Sequence, residues 1–252
     1  MPALRAHVRA LFSFVPGPSP WRGSRTVTRE VRFGSNDSFC SPQFADGRAS
    51  LVVDLGAECT AGAGWTFGAK VQAQATGALR SVGAPAGDVR SAMVGAYLEP
   101  GAVPALFHVP AGDLTDRAAV LDALWGSRGA RLAEDLAAAD EAARIDRLEA
   151  ALLARAQRTP VVRTGVDVIG LARLARANPA TMTARRLAEA ADVSSQHLRR
   201  LFRDVIGVGP KRYCRLVRFH AGLAYAGGGA LTWAEIAAGL GYADQSHMIA
   251  AF

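Results

Sequence analysis

A segment between Ser194 and Val205 carries the side chains whose types and spacing indicate a definite chemistry. Leu198, Leu201 and Phe202 recur at helical spacing and predict a helix over about residues 195–205 with one apolar face. The polar residues on its other faces are Gln196, Arg199, Arg200 and Arg203. Arginine can donate two hydrogen bonds to guanine O6 and N7, and glutamine can pair with adenine. Readout of nucleic acid is therefore one interpretation of this helix, and a solvated surface is the other.

The excess of basic residues lies in the C-terminal part of the chain. The 252 residues carry a formal net charge of +7 and have a pI near 10.0. Residues 155–252 contain 14 Lys and Arg against 6 Asp and Glu, whereas residues 1–154 contain 15 against 16. A localised basic surface attracts polyanions, and nucleic acid is the commonest of them. On charge alone, an ordinary solvated surface is an equal alternative.

The patterns of an enzyme or a metal protein are missing from the sequence. It contains no recognisable motif that pairs a nucleophilic side chain with a general base, and no motif of paired carboxylates. Cys40, Cys59 and Cys214 have no metal-ligand spacing, and their odd number favours a reducing compartment. His108 and Glu99 are candidate metal ligands, but His108 is not part of a His-x-His pair, which is a common metal-binding pattern. We therefore expect no enzyme activity, no metal and no cofactor.

Neither a signal peptide nor an apolar run long enough to cross a bilayer is evident. We therefore expect a cytoplasmic protein with no membrane partner.

Two regions with different hydrophobic periodicity must position these residues. Residues 1–110 are rich in short apolar runs separated by turn residues, which is typical of β-strands, although Leu4–Phe14 fits a short helix. The predicted strands are Thr26–Phe33, Ala49–Leu55, Gly68–Gln74 and Met93–Leu98. The predicted helices behind them are Leu114–Trp125, Ala130–Ala138 and Ala142–Gln157. A linker at Arg158–Gly165 then leads into a helical C-terminal region. Three aromatic residues of the first region, Trp65, Phe107 and Trp125, are expected in its core.

The C-terminal region contains an internal repeat. Leu187–Val193 is similar to Ile236–Tyr242 at an offset of 49 residues. After one extra residue the similarity resumes at an offset of 50, where His197 corresponds to His247 and Phe202 to Phe252. The segment between the two copies begins with Pro210 and predicts one long helix over residues 211–226.

Each copy of the repeat fits a helix-turn-helix. A small alanine lets the second helix cross the first closely, and four residues later the turn needs a residue that tolerates a positive φ. Gly241 meets this need freely and Asp192 tolerably. Ser194 and Asp244 are then predicted N-caps of the second helices. The alternative is two ordinary helical hairpins, and the repetition within the basic region favours the helix-turn-helix.

The C-terminal region resembles the AraC/XylS family of transcription regulators over about residues 165–252. The residues that carry the resemblance include Ala188, Val193, Ser194, His197–Arg203, Gly207, Pro210, Tyr213, Arg218, Phe219, Ile236, Ala237, Gly241–His247 and Phe252. The resemblance implies a sequence-specific DNA-binding regulator with two helix-turn-helix units joined by a long helix.

The same resemblance implies roles for individual residues. The candidates for reading bases are Gln196, Arg199, Arg200, Gln245 and Ser246, with Ile249 on the same face. The candidates for binding phosphate are Arg185, Arg186, Ser194, Arg203, Lys211, Arg212 and Arg215. Arg218 is expected to face inward and pair with an acid. His197 and His247 are expected to pack or cap.

The N-terminal part is similar to a domain of unassigned function that precedes this unit in one branch of the family. The similarity lies in Leu51–Leu55, Gly77–Arg80, Val94–Gly101, Leu106, Val109–Ala111, Leu114–Asp116 and Leu124–Gly126. It implies an α+β protein with a β-rich, cupin-like domain over residues 1–158, used for sensing an effector or for dimerisation. Double-stranded DNA is the expected partner. A small-molecule effector, RNA polymerase and a second copy of the chain are further candidates.

The sequence departs from the family at the end of the second unit. Ala250 stands where the family usually has arginine, and the family continues for another helix beyond Phe252. We therefore expect a DNA-binding domain over residues 159–252 that is C-terminally incomplete and in which the first unit carries most of the specificity. The alternative is a protein that binds a partner or ligand and has lost DNA binding through this truncation.

Overall fold

The N-terminal part of the protein contains a β-sheet with helices packed on it, and the C-terminal part is helical. The computed structural model describes Leu4 and residues 6–15, 25–30, 49–54, 68–73, 93–115, 117–158 and 165–251. The strands are β1 Val8–Val15, β2 Arg25–Glu30, β3 Ala49–Asp54, β4 Gly68–Ala73, β5 Met93–Leu98 and β6 Ala118–Val120. Within the described residues they form one sheet in the order β2-β1-β5-β3-β4-β6, in which all neighbours are antiparallel.

The helix predicted over Leu4–Phe14 is wrong, because Val8–Val15 is strand β1. Leu11 lies opposite Arg29 of β2 and Ala96 of β5, so this strand is inside the sheet. The consecutive residues 11–13 are all buried, which means that both faces of β1 are covered. A strand buried on both faces reads as a continuous apolar run, which periodicity alone does not distinguish from a helix.

Helices cover one face of the sheet. They are α1 Ala102–Phe107, a 3-10 turn Ala111–Leu114, α2 Leu121–Trp125, α3 Ser127–Ala137 and α4 Glu141–Arg158. Ile145, Leu148 and Leu152 of α4 share a core with Leu11 and Leu51 of the sheet, as the apolar stripe of α4 predicts. Phe107 stacks on Trp125 with ring centroids 5.6 Å apart. Both aromatics therefore belong to the core as expected, while Trp65, Cys40 and Cys59 lie outside the described residues.

The single helix predicted over Leu114–Trp125 is also wrong. Leu114 ends the 3-10 turn, and only Leu121–Trp125 is helical. Between them Ala118–Val120 pairs with β4 as β6, with Val120 opposite Lys70. Here the pairing with a distant strand overrides the helical spacing of the local sequence.

The described residues of the C-terminal region form six helices. They are α5 Val168–Ala177, α6 Ala184–Ala190, α7 Ser195–Ile206, α8 Pro210–Gly227, α9 Trp233–Gly239 and α10 Gln245–Ala251. Pro210 occupies the first turn of α8, and α8 is the long connecting helix that the sequence predicts. Phe202 of α7 meets Tyr213 of α8 edge to face at 5.8 Å, in the centre of the core formed by α5 to α8.

The N-terminal part packs directly on α5 and α7. The hydroxyl of Thr115 donates a hydrogen bond of 2.6 Å to the carbonyl of Gly207, which ends α7. Arg176 of α5 lies 3.5 Å from the largely buried carboxylate of Glu99. The sequence predicts a division between two domains at residue 158, and residues 159–164 lie outside the described part. The division stays a prediction, as does the cupin-like character of the sheet.

Candidate nucleic-acid interface

The first helix pair, α6 and α7, is joined by the turn that the sequence predicts. Asp192 adopts a left-handed conformation with φ of 50°, and the N–H of Val193 donates to the carbonyl of Ala188 at 3.1 Å. The side chain of Ser194 then accepts a hydrogen bond from the N–H of His197 and caps α7. The turn and the cap together set the direction in which α7 leaves α6.

The second helix pair, α9 and α10, repeats these bonds. Gly241 has φ of 74°, and the N–H of Tyr242 donates to the carbonyl of Ala237 at 2.9 Å. The carboxylate of Asp244 accepts a hydrogen bond of 2.7 Å from the N–H of His247, which confirms the predicted cap. The two turns therefore have the same backbone hydrogen bonds, and the sequence repeat is a structural repeat at this level.

A capping box starts the second pair. The Thr232 hydroxyl accepts from the N–H of Glu235, while the Glu235 carboxylate accepts from the N–H and the hydroxyl of Thr232. The hydrogen bonds from Thr232 lower the pKa of Glu235 below its usual value, because they favour the ionised carboxylate. The start of α9 is thus specified locally, without help from the N-terminal part.

Helix α7 presents a basic face to solvent. Leu198, Leu201 and Phe202 are buried, as predicted. The exposed residues of its other faces include Gln196, Arg199, Arg200 and Arg203. One guanidinium nitrogen of Arg200 lies 3.1 Å from Nδ1 of His197, one turn earlier. Arg199 and Gln196 are three residues apart and so share a face on which both could reach base edges.

Helix α10 presents a less basic surface. Met248 is buried, whereas Gln245 and Ser246 are exposed and Ile249 is 58% exposed. The ring of Tyr242 meets that of His247 edge to face at 5.4 Å, in agreement with a packing role for this histidine. Phe252 lies outside the described residues.

The residues predicted to bind phosphate are not equivalent in the structure. Arg185 and Glu189 form an exposed ion pair at 3.3 Å, and Arg186 donates to the carbonyl of Thr181 at 2.8 Å. Exposed pairs of this kind are weak, so Arg185 can exchange Glu189 for a phosphate at little cost. Lys211 and Arg215 of α8 are exposed, while Arg212 is half-buried.

The expectation that Arg218 pairs with an acid is wrong for the described residues. Its Nε donates to the carbonyl of Pro179 at 3.1 Å, and its guanidinium lies over the ring of Tyr242, 5.3 Å from the centroid. A backbone carbonyl and an aromatic face together provide the electron density that a carboxylate would have supplied. The family resemblance implies the inward position of this residue but not its partners, which are 39 and 24 positions away.

The proximity of the N-terminal part to α7 could not be expected from the sequence. Pro110, Gly112 and Asp113 form one wall of a groove whose other wall is α7. The α7 residues that line it are Gln196, Arg199, Arg200, Arg203 and Asp204. No local pattern encodes this contact, because it joins residues that are more than 80 positions apart in the chain.

The candidate metal residues do not form a site in the described part of the chain. Glu99 pairs with Arg176, and His108 is exposed at the end of α1. Among the described residues, no three His, Cys, Asp or Glu side chains are grouped as a metal ion would require. No helix of the described ranges is both long and apolar enough to cross a membrane.

Comparisons with known proteins agree with this geometry in the C-terminal region. Residues 187–252 match the family model described as a helix-turn-helix domain, which begins in α6 and includes α7 to α10. Among solved structures, the chain is similar to an apo lysine-to-alanine variant of ToxT from Vibrio cholerae. That similarity has a TM-score of 0.40 and 11% sequence identity and covers 84% of this chain and 86% of that chain. No curated protein matches the chain.

Proposed function

We propose that this chain, whose residues 187–252 match a helix-turn-helix family model of the AraC type, is a transcription regulator that reads a specific DNA sequence. The observation that carries this proposal is the exposed face of α7, where Gln196 and Arg199 project beside a fully packed apolar face. A helix of 12 residues with one buried apolar face and one exposed polar face can enter a major groove without disturbing its own core.

The second helix pair is proposed as a second reading unit. Its turn and cap repeat those of the first pair, and Gln245 and Ser246 lie at the positions that correspond to the start of α7. It offers fewer charged donors than α7, so α7 supplies most of the base readout. The basic residues Lys211, Arg212 and Arg215 add affinity by binding phosphates, which carries no sequence information.

The N-terminal part is proposed as a sensing domain without catalytic activity. It meets the DNA-binding part at Glu99, which pairs with Arg176 of α5, and at Thr115, whose hydroxyl donates to the carbonyl of Gly207 at the end of α7. A small-molecule effector could change DNA binding through this contact only if it binds two arrangements with different affinity. RNA polymerase and a second copy of the chain are proposed partners on the strength of the family resemblance alone.

Selection of DNA sites from a random library by the full-length chain tests the proposal. Wild-type protein is expected to enrich a defined motif, with binding that weakens steeply as salt rises. Arg199→Ala should lose discrimination of about 1–3 kcal/mol at one base position, because a bidentate contact is removed. Lys211→Ala is the matched control, and it should weaken all sequences alike and lower the salt slope by about one unit.

Two outcomes separate the proposal from its alternatives. Equal loss of discrimination in Arg199→Ala and Lys211→Ala would show that α7 does not read bases. Failure of the wild-type chain to enrich any DNA in a salt-dependent manner would favour a partner- or ligand-binding protein that lacks DNA binding.

A further inference from the structure

We propose that Arg218 is a positioning residue that sets the distance and angle between the two helix pairs, and thereby the spacing of the two DNA segments that they read. This inference rests on the proposed function. It assigns a specificity role to a side chain that does not itself reach DNA.

The two helix pairs are connected through α8. Helices α6 and α7 pack on its first part, around Tyr213 and Cys214, and α9 packs on its last part, around Ala221 and Ala226. Helix α10 packs on α9. Arg218 stands in the middle of this 18-residue helix. A single connecting helix fixes the separation of its two ends, but each pair could still rotate about its own contact with α8.

The Arg218 side chain contacts both pairs at once. Its Nε–H donates to the carbonyl of Pro179, in the turn that leads into α6. Its guanidinium plane lies over Tyr242, in the turn between α9 and α10. Arginine suits this double contact, because one planar group can donate a directed hydrogen bond and stack on a ring at the same time.

A backbone contact beside Arg218 joins the same two turns. A Cβ atom added at Gly241 would lie 2.9 Å from the carbonyl oxygen of Ala180, so the two backbones are too close for a residue with a Cβ to fit without a shift. The interunit contact, defined here as Pro179, Ala180, Arg218, Gly241 and Tyr242, therefore holds the turn of the second pair against the start of the first. It resists the rotation that α8 alone would permit.

The consequence for DNA follows from the geometry of the double helix. Each base pair inserted between two recognised segments moves them about 3.4 Å apart and rotates them by about 35°. A protein with a rigid interunit contact cannot follow that displacement, so it loses contacts with DNA at one of the two segments. A protein without the contact can adjust, but it also loses the pre-organised arrangement that favours the native spacing.

The experiment measures how full-length protein binds DNA with altered spacing. Motifs obtained by selection are prepared with zero, one or two base pairs inserted between their two halves. Arg218→Met keeps the apolar stem but removes the donor and the charge. We expect this variant to bind the native spacing about three- to thirtyfold more weakly, and to show a smaller penalty for each insertion than wild type.

Matched variants separate positioning from simple loss of affinity or folding. Lys211→Met, on the same helix, should weaken binding to every spacing by the same factor. Tyr242→Leu removes the ring face but leaves an apolar plug, and should change the spacing profile in the same direction as Arg218→Met. If Arg218→Met does not show a wild-type circular dichroism spectrum, the spacing profile of Tyr242→Leu decides whether the interunit contact sets the spacing.

The failure of this inference differs from the failure of the proposed function. If the spacing profiles of both folded variants superimpose on that of wild type, the positioning role is overturned. A wild-type footprint limited to one half-site also overturns it, while leaving readout by α7 intact. No enrichment of DNA by the wild-type chain overturns the proposed function itself.

Discussion

Replacing Gly241 by alanine tests the turn of the second helix pair. Gly241 has φ of 74°, a conformation that costs a residue with a Cβ about 1–2 kcal/mol. The new Cβ would also lie 2.9 Å from the carbonyl oxygen of Ala180, so one of two backbones must move. Together these effects should destabilise the protein by about 2–3 kcal/mol, at the upper end of ordinary single substitutions.

Thermal unfolding followed by circular dichroism measures this loss. For a protein of this size, each kcal/mol lowers Tm by about 2–4 °C, so Gly241→Ala should unfold about 4–12 °C below wild type. Gly239→Ala, two residues earlier, is the control. Gly239 is the last residue of α9, and an added Cβ would meet no atom within 4 Å. Alanine should therefore be neutral there or stabilise the protein by up to about 1 kcal/mol.

The melting temperatures of Gly241→Ala and Gly239→Ala can also contradict this reasoning. If Gly241→Ala unfolds at the wild-type temperature, or shifts in the same direction as Gly239→Ala, neither the positive φ nor the contact with Ala180 limits this position. The interunit contact would then be looser than the geometry indicates.

Two further predictions concern buried groups. Burial lowers the pKa of His7, so between the folded value and the unfolded value of about 6.5 the unfolded chain binds the extra proton. The free energy of unfolding, measured with urea, should therefore fall as pH decreases below about 6.5. His7→Gln should make this dependence on pH shallower, and an unchanged dependence would contradict the prediction. Burial raises the pKa of Cys214 to about 11, which keeps the thiol protonated. At pH 8, alkylation at Cys214, mapped by mass spectrometry, should be about a hundredfold slower in native than in denatured protein, and equal rates would refute the assignment.

Short-range features were predictable because their physics is local. The positive φ of Asp192 and Gly241 and the caps at Ser194 and Asp244 involve residues within five positions of one another. Their hydrogen bonds follow from residue type and order, and the apolar stripe of α7 follows from its period. The same applies to Pro210 at the start of α8.

Predictions failed where a distant partner decided the outcome. Val8–Val15 is a strand because β2 and β5 pair with it on either side, and Ala118–Val120 is a strand because β4 pairs with it. Both segments carry apolar spacing that also fits a helix. The pairing energy comes from residues ten or more positions away, and a local pattern does not contain it.

The sequence by itself determined the helix-turn-helix pattern of the C-terminal region, since the turn residues and caps concern contacts within one helix pair. Only the tertiary structure decided how the units are arranged. It placed Arg218 between Pro179 and Tyr242, and it brought Asp113 beside the basic face of α7. The physical reason is that caps and turns are specified by neighbours along the chain. Docking depends instead on the shapes and charges of surfaces that exist only after each part has folded.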